Sequence, residues 1–239
     1  MRRYVRRLGR LLFQGRFFTY RWRLHAAAER ALAEFRGRVL DIGAGTQPYR
    51  PYLPPGVQYT ALEIVPIPGN DVIASVLALP FASATFDGVI CTEVIEHVPE
   101  PERALREIHR LLKPQGRVYI TVPMSWALHY VPHDYFRYTR YGLAHLLNKA
   151  GFRVERVEQV GGLFTMILAR LEDVFGALLF KGLFPTKYLL GNRGRVLLAS
   201  LILLLVGIPL DALATLLDRI VPNARLDALG WVVLATKEG

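Results

Sequence analysis

The most organised group of residues that could do chemistry here is Asp41-Ile42-Gly43-Ala44-Gly45. Two glycines without side chains let the backbone turn sharply and come close to a nucleotide. An acid about 20 residues further on, at the end of the next strand, can accept both hydroxyls of a ribose, and Glu63 stands there. Asp41 would orient the loop or reach a ligand's amino group through water. The pattern points to a nucleotide site without choosing the nucleotide, because nicotinamide-dependent oxidoreductases use a similar spacing. Downstream, His97 and His133 are candidate catalytic bases, since a histidine beside a bound cofactor can take the proton of a hydroxyl acceptor. The plainer role for His97 is to pack against and cap the helix that follows it, and Cys91 reads as a buried strand-end residue rather than a nucleophile. No metal ligands are expected.

These residues need elements that deliver them to one edge. Arg38–Ile42 is a short apolar run ending in an acid and a Gly-x-Gly turn, which predicts a buried strand entering a loop. Pro48, Pro51, Pro54 and Pro55 allow at best a short helical turn next. Val57–Ile64 reads as a second strand, Asp71–Ala74 as a weaker third and Phe86–Cys91 as a fourth. Ala104, Leu105, Ile108, Leu111 and Leu112 have helical spacing, and Lys113-Pro114-Gln115-Gly116 is a helix stop and turn before a strand at Arg117–Val122. A helix over Tyr141–Ala150, capped by Gly151, leads to a strand at Phe152–Val160, and a last strand is expected at Gly230–Thr236. Strands alternating with helices make an α/β, doubly wound, mostly parallel sheet.

At 239 residues the chain suits one α/β domain with an appendage. A single cysteine excludes an intrachain disulfide framework and favours a reducing, cytoplasmic setting. The formal charge of +10 is local: Met1–Arg38 carries 11 arginines against Glu29 and Glu34. Tyr4, Leu8, Leu11 and Leu12 fall opposite Arg3, Arg6, Arg7 and Arg10, the pattern of a basic amphipathic helix, with a second helix at Tyr20–Phe35. Arginines interrupt the apolar residues before the core of a signal peptide can form, so export is not expected.

The segments Leu79-Pro80-Phe81-Ala82-Ser83-Ala84-Thr85-Phe86-Asp87, Glu93-Val94-Ile95-Glu96-His97-Val98 and Leu112-Lys113-Pro114-Gln115-Gly116, in this order after the glycine loop, resemble the class I S-adenosylmethionine-dependent methyltransferases, in particular the methyltransferase type 11 group. The resemblance covers about residues 38–160. It implies a Rossmann-like, seven-stranded sheet whose last strand is antiparallel and pairs with the sixth, and S-adenosyl-L-methionine as cofactor. Asp41, Gly43 and Gly45 would serve its methionine end and Glu63 its ribose. Gln47 stands where the family often has a third glycine, so the next helix is expected to start later, capped by Thr46. Ser75 stands where an acid commonly holds the adenine amino group, leaving adenine to Ser75, backbone groups and the apolar Ile64, Val76 and Leu77. The stretch Pro132-His133-Asp134-Tyr135-Phe136-Arg137-Tyr138-Thr139 resembles the substrate-side loop of enzymes that build lipid-linked saccharides.

About 70 residues separate the last two expected strands, where the family has a short hairpin, and such a connection is rarely idle. Val196–Leu210 is free of charge but shorter than the roughly 20 residues that span a bilayer. The expected organisation is basic helices at 1–37, a methyltransferase domain at 38–162 and 229–239, and an apolar helical insertion at 163–228. The insertion would lie in or wedge into a membrane surface, or pack as a subdomain or dimer contact. Anionic headgroups would favour the arginine-rich arm by about 1 kcal/mol per residue. The expectation is a methyltransferase on the inner face of the membrane, acting on a small-molecule or lipid-linked glycan, lipid or quinone acceptor, with oxygen as a candidate acceptor atom and no nucleic acid partner. The alternatives are the nicotinamide oxidoreductase and a non-catalytic membrane adaptor that keeps the cofactor fold.

Overall fold

In the computed structural model of the chain, the described residues are 18–181, 201–222 and 226–238. The basic helix expected near Tyr4–Leu12, and residues 196–200 of the charge-free run, lie outside them. The elements are α1 (Phe18–Leu32), β1 (Arg38–Ile42), β2 (Gln58–Glu63), β3 (Val72–Ile73), β4 (Phe86–Thr92), α2 (Pro101–Leu111), β5 (Leu112–Pro123), α3 (Arg140–Lys149), β6 (Phe152–Val160), α4 (Leu163–Lys181), α5 (Ile208–Ile220) and β7 (Gly230–Lys237). Two compact units divide the chain: Leu24–Gln159 with Gly230–Gly239, and Met1–Arg23 with Val160–Leu229.

The first unit holds the sheet, whose seven strands run in the order β3-β2-β1-β4-β5-β7-β6. Strands β1 to β5 pair in parallel, and β7 returns antiparallel to β5 between it and β6. This is the seven-stranded Rossmann-like sheet that the sequence resemblance implied. The central strands are mainly apolar because both faces are covered: Val39, Leu40 and Ile42 of β1, Val89, Ile90 and Cys91 of β4, and Val118 and Ile120 of β5 are all buried. Helix α2 buries Ala104, Leu105, Ile108 and Leu111, the stripe expected from its spacing. Lys237 of β7 donates to the His109 and Leu112 carbonyls, satisfying acceptors that the end of α2 leaves open.

Two expectations change. Lys113-Pro114-Gln115-Gly116 ends the helix but is no separate turn: β5 begins at Leu112, which pairs with Phe86, and the register slips before Gly88 meets Arg117. The helix expected after the glycine loop, capped by Thr46, is instead a short 3-10 turn at Arg50–Tyr52, preceded by Tyr49 without a side-chain cap. Pro48 and Pro51 lack the N–H groups that a longer helix would need.

The second unit contains α4 and α5. Asp218 of α5 accepts from the backbone N–H of Gly162 (2.9 Å), Phe164 (2.8 Å) and Thr165 (3.3 Å) and from the Thr165 hydroxyl. It thus caps the N-terminus of α4 from another helix, satisfying donors left open there and complementing the helix dipole. Arg23 bonds Asp211 (2.6 Å) and Thr215 (2.6 Å), and Glu172 accepts from Thr19. Outside this polar seam, Ile167, Leu171 and Val174 of α4 and Leu210, Leu213, Leu216 and Ile220 of α5 are exposed at helical spacing. Among the described residues no helix is long and apolar enough to cross a membrane.

Candidate cofactor and acceptor site

Strand order reverses between β1 and β4, so the loops at their carboxyl ends flank the crevice where α/β sheets hold ligands. The glycine loop occupies one side. Gly43 has φ +69°, and a Cβ there would lie 2.4 Å from Cγ2 of Val94 in the loop after β4, so only glycine allows the two loops to approach. The Gly43 and Ala44 amides both donate to the Leu62 carbonyl, fixing the loop against the end of β2 (2.9 and 3.1 Å).

Glu63 leaves β2 beside this loop. Its Oε1 accepts from the Gly45 amide at 2.8 Å and its Oε2 from its neighbour Ile64 at 3.1 Å. Each carboxylate oxygen has further lone pairs, so the group is already aimed while still able to accept two ribose hydroxyls. Gln47 explains the missing third glycine: it adopts a left-handed backbone, φ +58°, and its side-chain amide donates to the Gly69 carbonyl (2.5 Å) and to Asn70 (3.1 Å). Asn70 in turn donates to the Gly45 carbonyl at 3.2 Å. A polar clamp from the β2–β3 connection therefore holds a conformation that glycine would adopt freely. Thr46 is exposed beside it.

Asp41 is buried at the end of β1. Oδ2 accepts from the Tyr59 hydroxyl at 2.6 Å, while Oδ1 has no hydrogen-bond partner. Burial raises its pKa to about 7; the Tyr59 bond opposes that shift and the charge of Glu63 adds to it. Of the residues expected at adenine, Ser75 accepts through Oγ from the Leu77 amide at 3.2 Å, which leaves its O–H as a donor. Val76 is buried, Leu77 half-buried, and Ile64 67% exposed, an apolar side chain that a flat base could cover.

The acceptor side is built from the loops after β4 and β5. Glu93 has a left-handed backbone, φ +54°, that turns the chain into a 3-10 turn at Ile95–His97. The Glu96 carbonyl accepts from the Tyr135 and Phe136 amides, and the Tyr138 hydroxyl donates to the Ile95 carbonyl. The substrate-side segment is thereby tied to this turn. Within it, both Arg137 terminal nitrogens bond the two oxygens of Asp134 at 2.6 and 2.7 Å, and this fork holds the Asp134 carboxyl well below its usual range.

His97 is not a helix cap: α2 starts at Pro101, after Glu100, and His97 bonds the His133 carbonyl through Nδ1 (2.6 Å) and His129 through Nε2 (3.1 Å). The two sequence-predicted histidines thus meet through backbone, not through their rings. The His133 ring is exposed and bonded to the Tyr135 hydroxyl at 3.0 Å. His129 and the buried Glu96 were missed as functional residues. Cys91 is fully buried, with its thiol pKa pushed up by that burial, and has no nucleophilic character.

Comparison with known proteins decides the family. A sequence family described as a methyltransferase domain matches residues 14–157. The chain belongs to this methyltransferase family. The resemblance read from the sequence is borne out, S-adenosylmethionine stands as the cofactor that goes with it, and the nicotinamide oxidoreductase falls away. An uncharacterized methyltransferase of Mycobacterium leprae is 31% identical over 139 residues, covering 52% of this chain and 49% of the relative. A ubiquinone biosynthesis O-methyltransferase of Pseudomonas aeruginosa is 50% identical over 36 residues, 15% of this chain and 16% of the relative. The chain therefore spans about half or less of the length of the curated relatives it matches. Among solved structures, the cyclase SpnF superposes with a TM-score of 0.59 at 18% identity, over 90% of this chain and 81% of that one. The 1,6-didemethyltoxoflavin-N1-methyltransferase of Burkholderia thailandensis, solved with S-adenosylhomocysteine, gives 0.54 at 21% identity, over 89% and 77%. At these identities the chain shares their fold, and the presence of a cyclase among them leaves its reaction to be argued from the site.

Proposed function

We propose that this chain is an S-adenosylmethionine-dependent methyltransferase that acts on a lipid-linked or membrane-borne hydroxyl acceptor at the inner face of the membrane. The observation that carries the cofactor reading is Glu63, aimed by the Gly45 amide beside a loop that only glycine can form at Gly43. Glu63 holds the ribose, the loop and Asp41 face the methionine end, and Ser75 with Ile64, Val76 and Leu77 holds adenine. Methyl transfer is an in-line displacement: the acceptor oxygen bonds the methyl carbon, the bond to the sulfonium breaks, and the thioether leaves neutral. His133, exposed on the substrate-side segment, takes the proton the acceptor oxygen loses.

The membrane reading rests on the exposed aliphatic residues at helical spacing on α4 and α5, together with the 11 arginines near the amino terminus. The short match to a ubiquinone O-methyltransferase favours oxygen as the acceptor atom. Co-sedimentation with anionic vesicles tests the location. The full chain is expected to pellet, and the double substitution Leu213→Glu with Leu216→Glu to stay in the supernatant. Equal behaviour of the two proteins would remove the membrane claim. Incubation with labelled cofactor and fractionated membrane lipids then identifies the acceptor; label confined to water-soluble products would refute a lipid-borne one.

A further inference from the structure

Glu96, His97 and His129 bring one ligand atom each to within 4.8 Å of one another. Both imidazoles are held by their other nitrogen: His97 Nδ1 lies 2.6 Å from the His133 carbonyl and His129 Nδ1 3.2 Å from the Ala127 carbonyl. Carbonyls only accept, so each Nδ1 carries the proton, and in the neutral rings each Nε2 presents a lone pair. Those two lone pairs face each other at 3.1 Å. Glu96 Oε1 lies 3.6 Å from His97 Nε2, its side chain is fully buried, and neither of its oxygens has a hydrogen-bond partner.

Two imidazole nitrogens and a buried carboxyl group whose oxygens have no hydrogen-bond partner thus face one another, a donor set that a cation would satisfy. A proton shared between the two imidazoles is the alternative occupant. The spacing of the two histidine nitrogens suits a metal. Two nitrogens bound about 2.0–2.1 Å from one tetrahedral or octahedral ion lie about 2.9–3.4 Å apart, which brackets the observed 3.1 Å. Backbone carbonyls orienting the far side of each imidazole are what metal-bound histidines commonly have.

We propose that Glu96, His97 and His129 form a binding site for a first-row divalent transition metal, of which Zn²⁺ is the best-suited example. Two imidazoles and one carboxylate leave at least one position open, and the donor set favours such ions over Mg²⁺ or Ca²⁺, which prefer oxygen alone. The site lies at the carboxyl ends of β4 and β5, on the same edge as the glycine loop. Its open position would take an oxygen of the acceptor and ease its deprotonation. That last role rests on the methyltransferase reading; the binding site does not.

The test uses the full chain, stripped with a chelator and titrated without cofactor. Calorimetry with Zn²⁺ should give one ion per chain, and Co²⁺ should produce visible d–d absorption from a nitrogen and oxygen site. His129→Asn, at a partly exposed position that tolerates the change, and Glu96→Gln should each weaken Zn²⁺ binding by about tenfold or more, with His145→Asn as a neutral control. Binding should weaken with falling pH as protons compete for the ligands. Mg²⁺ should not compete at equal concentration. Absence of Zn²⁺ heat and of a Co²⁺ band in a folded protein, or equal affinity in His129→Asn, would overturn the site and leave the shared proton. Titration with S-adenosylhomocysteine in parallel separates this outcome from failure of the cofactor reading.

Discussion

Replacing Glu63 separates ribose recognition from the rest of the fold. The carboxylate takes one backbone N–H on each oxygen, from Gly45 at 2.8 Å and from Ile64 at 3.1 Å, and keeps a lone pair on each for a ribose hydroxyl. A hydrogen bond to a charged group contributes about 1.5–3 kcal/mol. Losing two at the lower figure costs about 3 kcal/mol, or roughly 150-fold in affinity, in Glu63→Ala. Glu63→Gln keeps one acceptor oxygen and turns the other into a donor, so the expected loss is about tenfold. Calorimetry with S-adenosylhomocysteine measures both. Because Glu63→Ala also frees the Gly45 amide, a ligand lacking the 2′-hydroxyl closes a cycle: it should bind wild type more weakly than S-adenosylhomocysteine but bind Glu63→Ala nearly as well. If the two ligands differ equally for both proteins, the ribose assignment is wrong, whatever the size of the overall loss.

Asp41 carries a pH prediction. Its pKa in the fold is raised to about 7 from 3.8, chiefly by burial, so the folded state holds a proton that the unfolded chain releases between those values. Stability should therefore fall as pH rises from about 4 to 7, by about 4 kcal/mol at most, and level off above. Denaturant melts across this range should show a flatter dependence in Asp41→Asn; an unchanged slope would exclude Asp41 as its source. Asp218 carries a stability prediction. Substituting Asn removes the charge and one acceptor oxygen from the cap of α4, which should cost about 2–3 kcal/mol. Amide exchange should accelerate at Phe164 and Thr165 while the sheet amides are unaffected, and uniform protection would remove Asp218 as the anchor.

What was legible in the sequence follows the range of the interactions involved. β1 and its loop are local: a buried run, an acid and two glycines specify a strand and a turn whatever lies elsewhere. β6 was bounded correctly at both ends because Gly151 and the apolar alternation around it act within a few residues. Gln47 was read as a lost glycine because the partners that hold its left-handed backbone, Gly69 and Asn70, come from a loop more than 20 residues away. The 3-10 turn at Arg50–Tyr52 was half legible: the prolines forbade a long helix, yet a polar Thr46 ahead of them looked like a cap. His129 carried no signal at all, since 32 residues separate it from His97 and only the parallel pairing of β4 with β5 brings their loops together.

That pairing also brings the two halves of the site into contact. The cofactor loop and the turn after β4 touch at Gly43 and Val94, where no Cβ fits between them. The same turn then receives the substrate-side segment through the Glu96 carbonyl and Tyr138. A displacement of the glycine loop therefore meets Val94 directly, and Glu96 and His97 lie in the turn that follows. Packed contacts of this kind shift as a body rather than one atom at a time. Cofactor binding and the arrangement of Glu96, His97 and His129 should thus be coupled, and substitutions at Gln47 or Asn70, which hold the same loop, should disturb both.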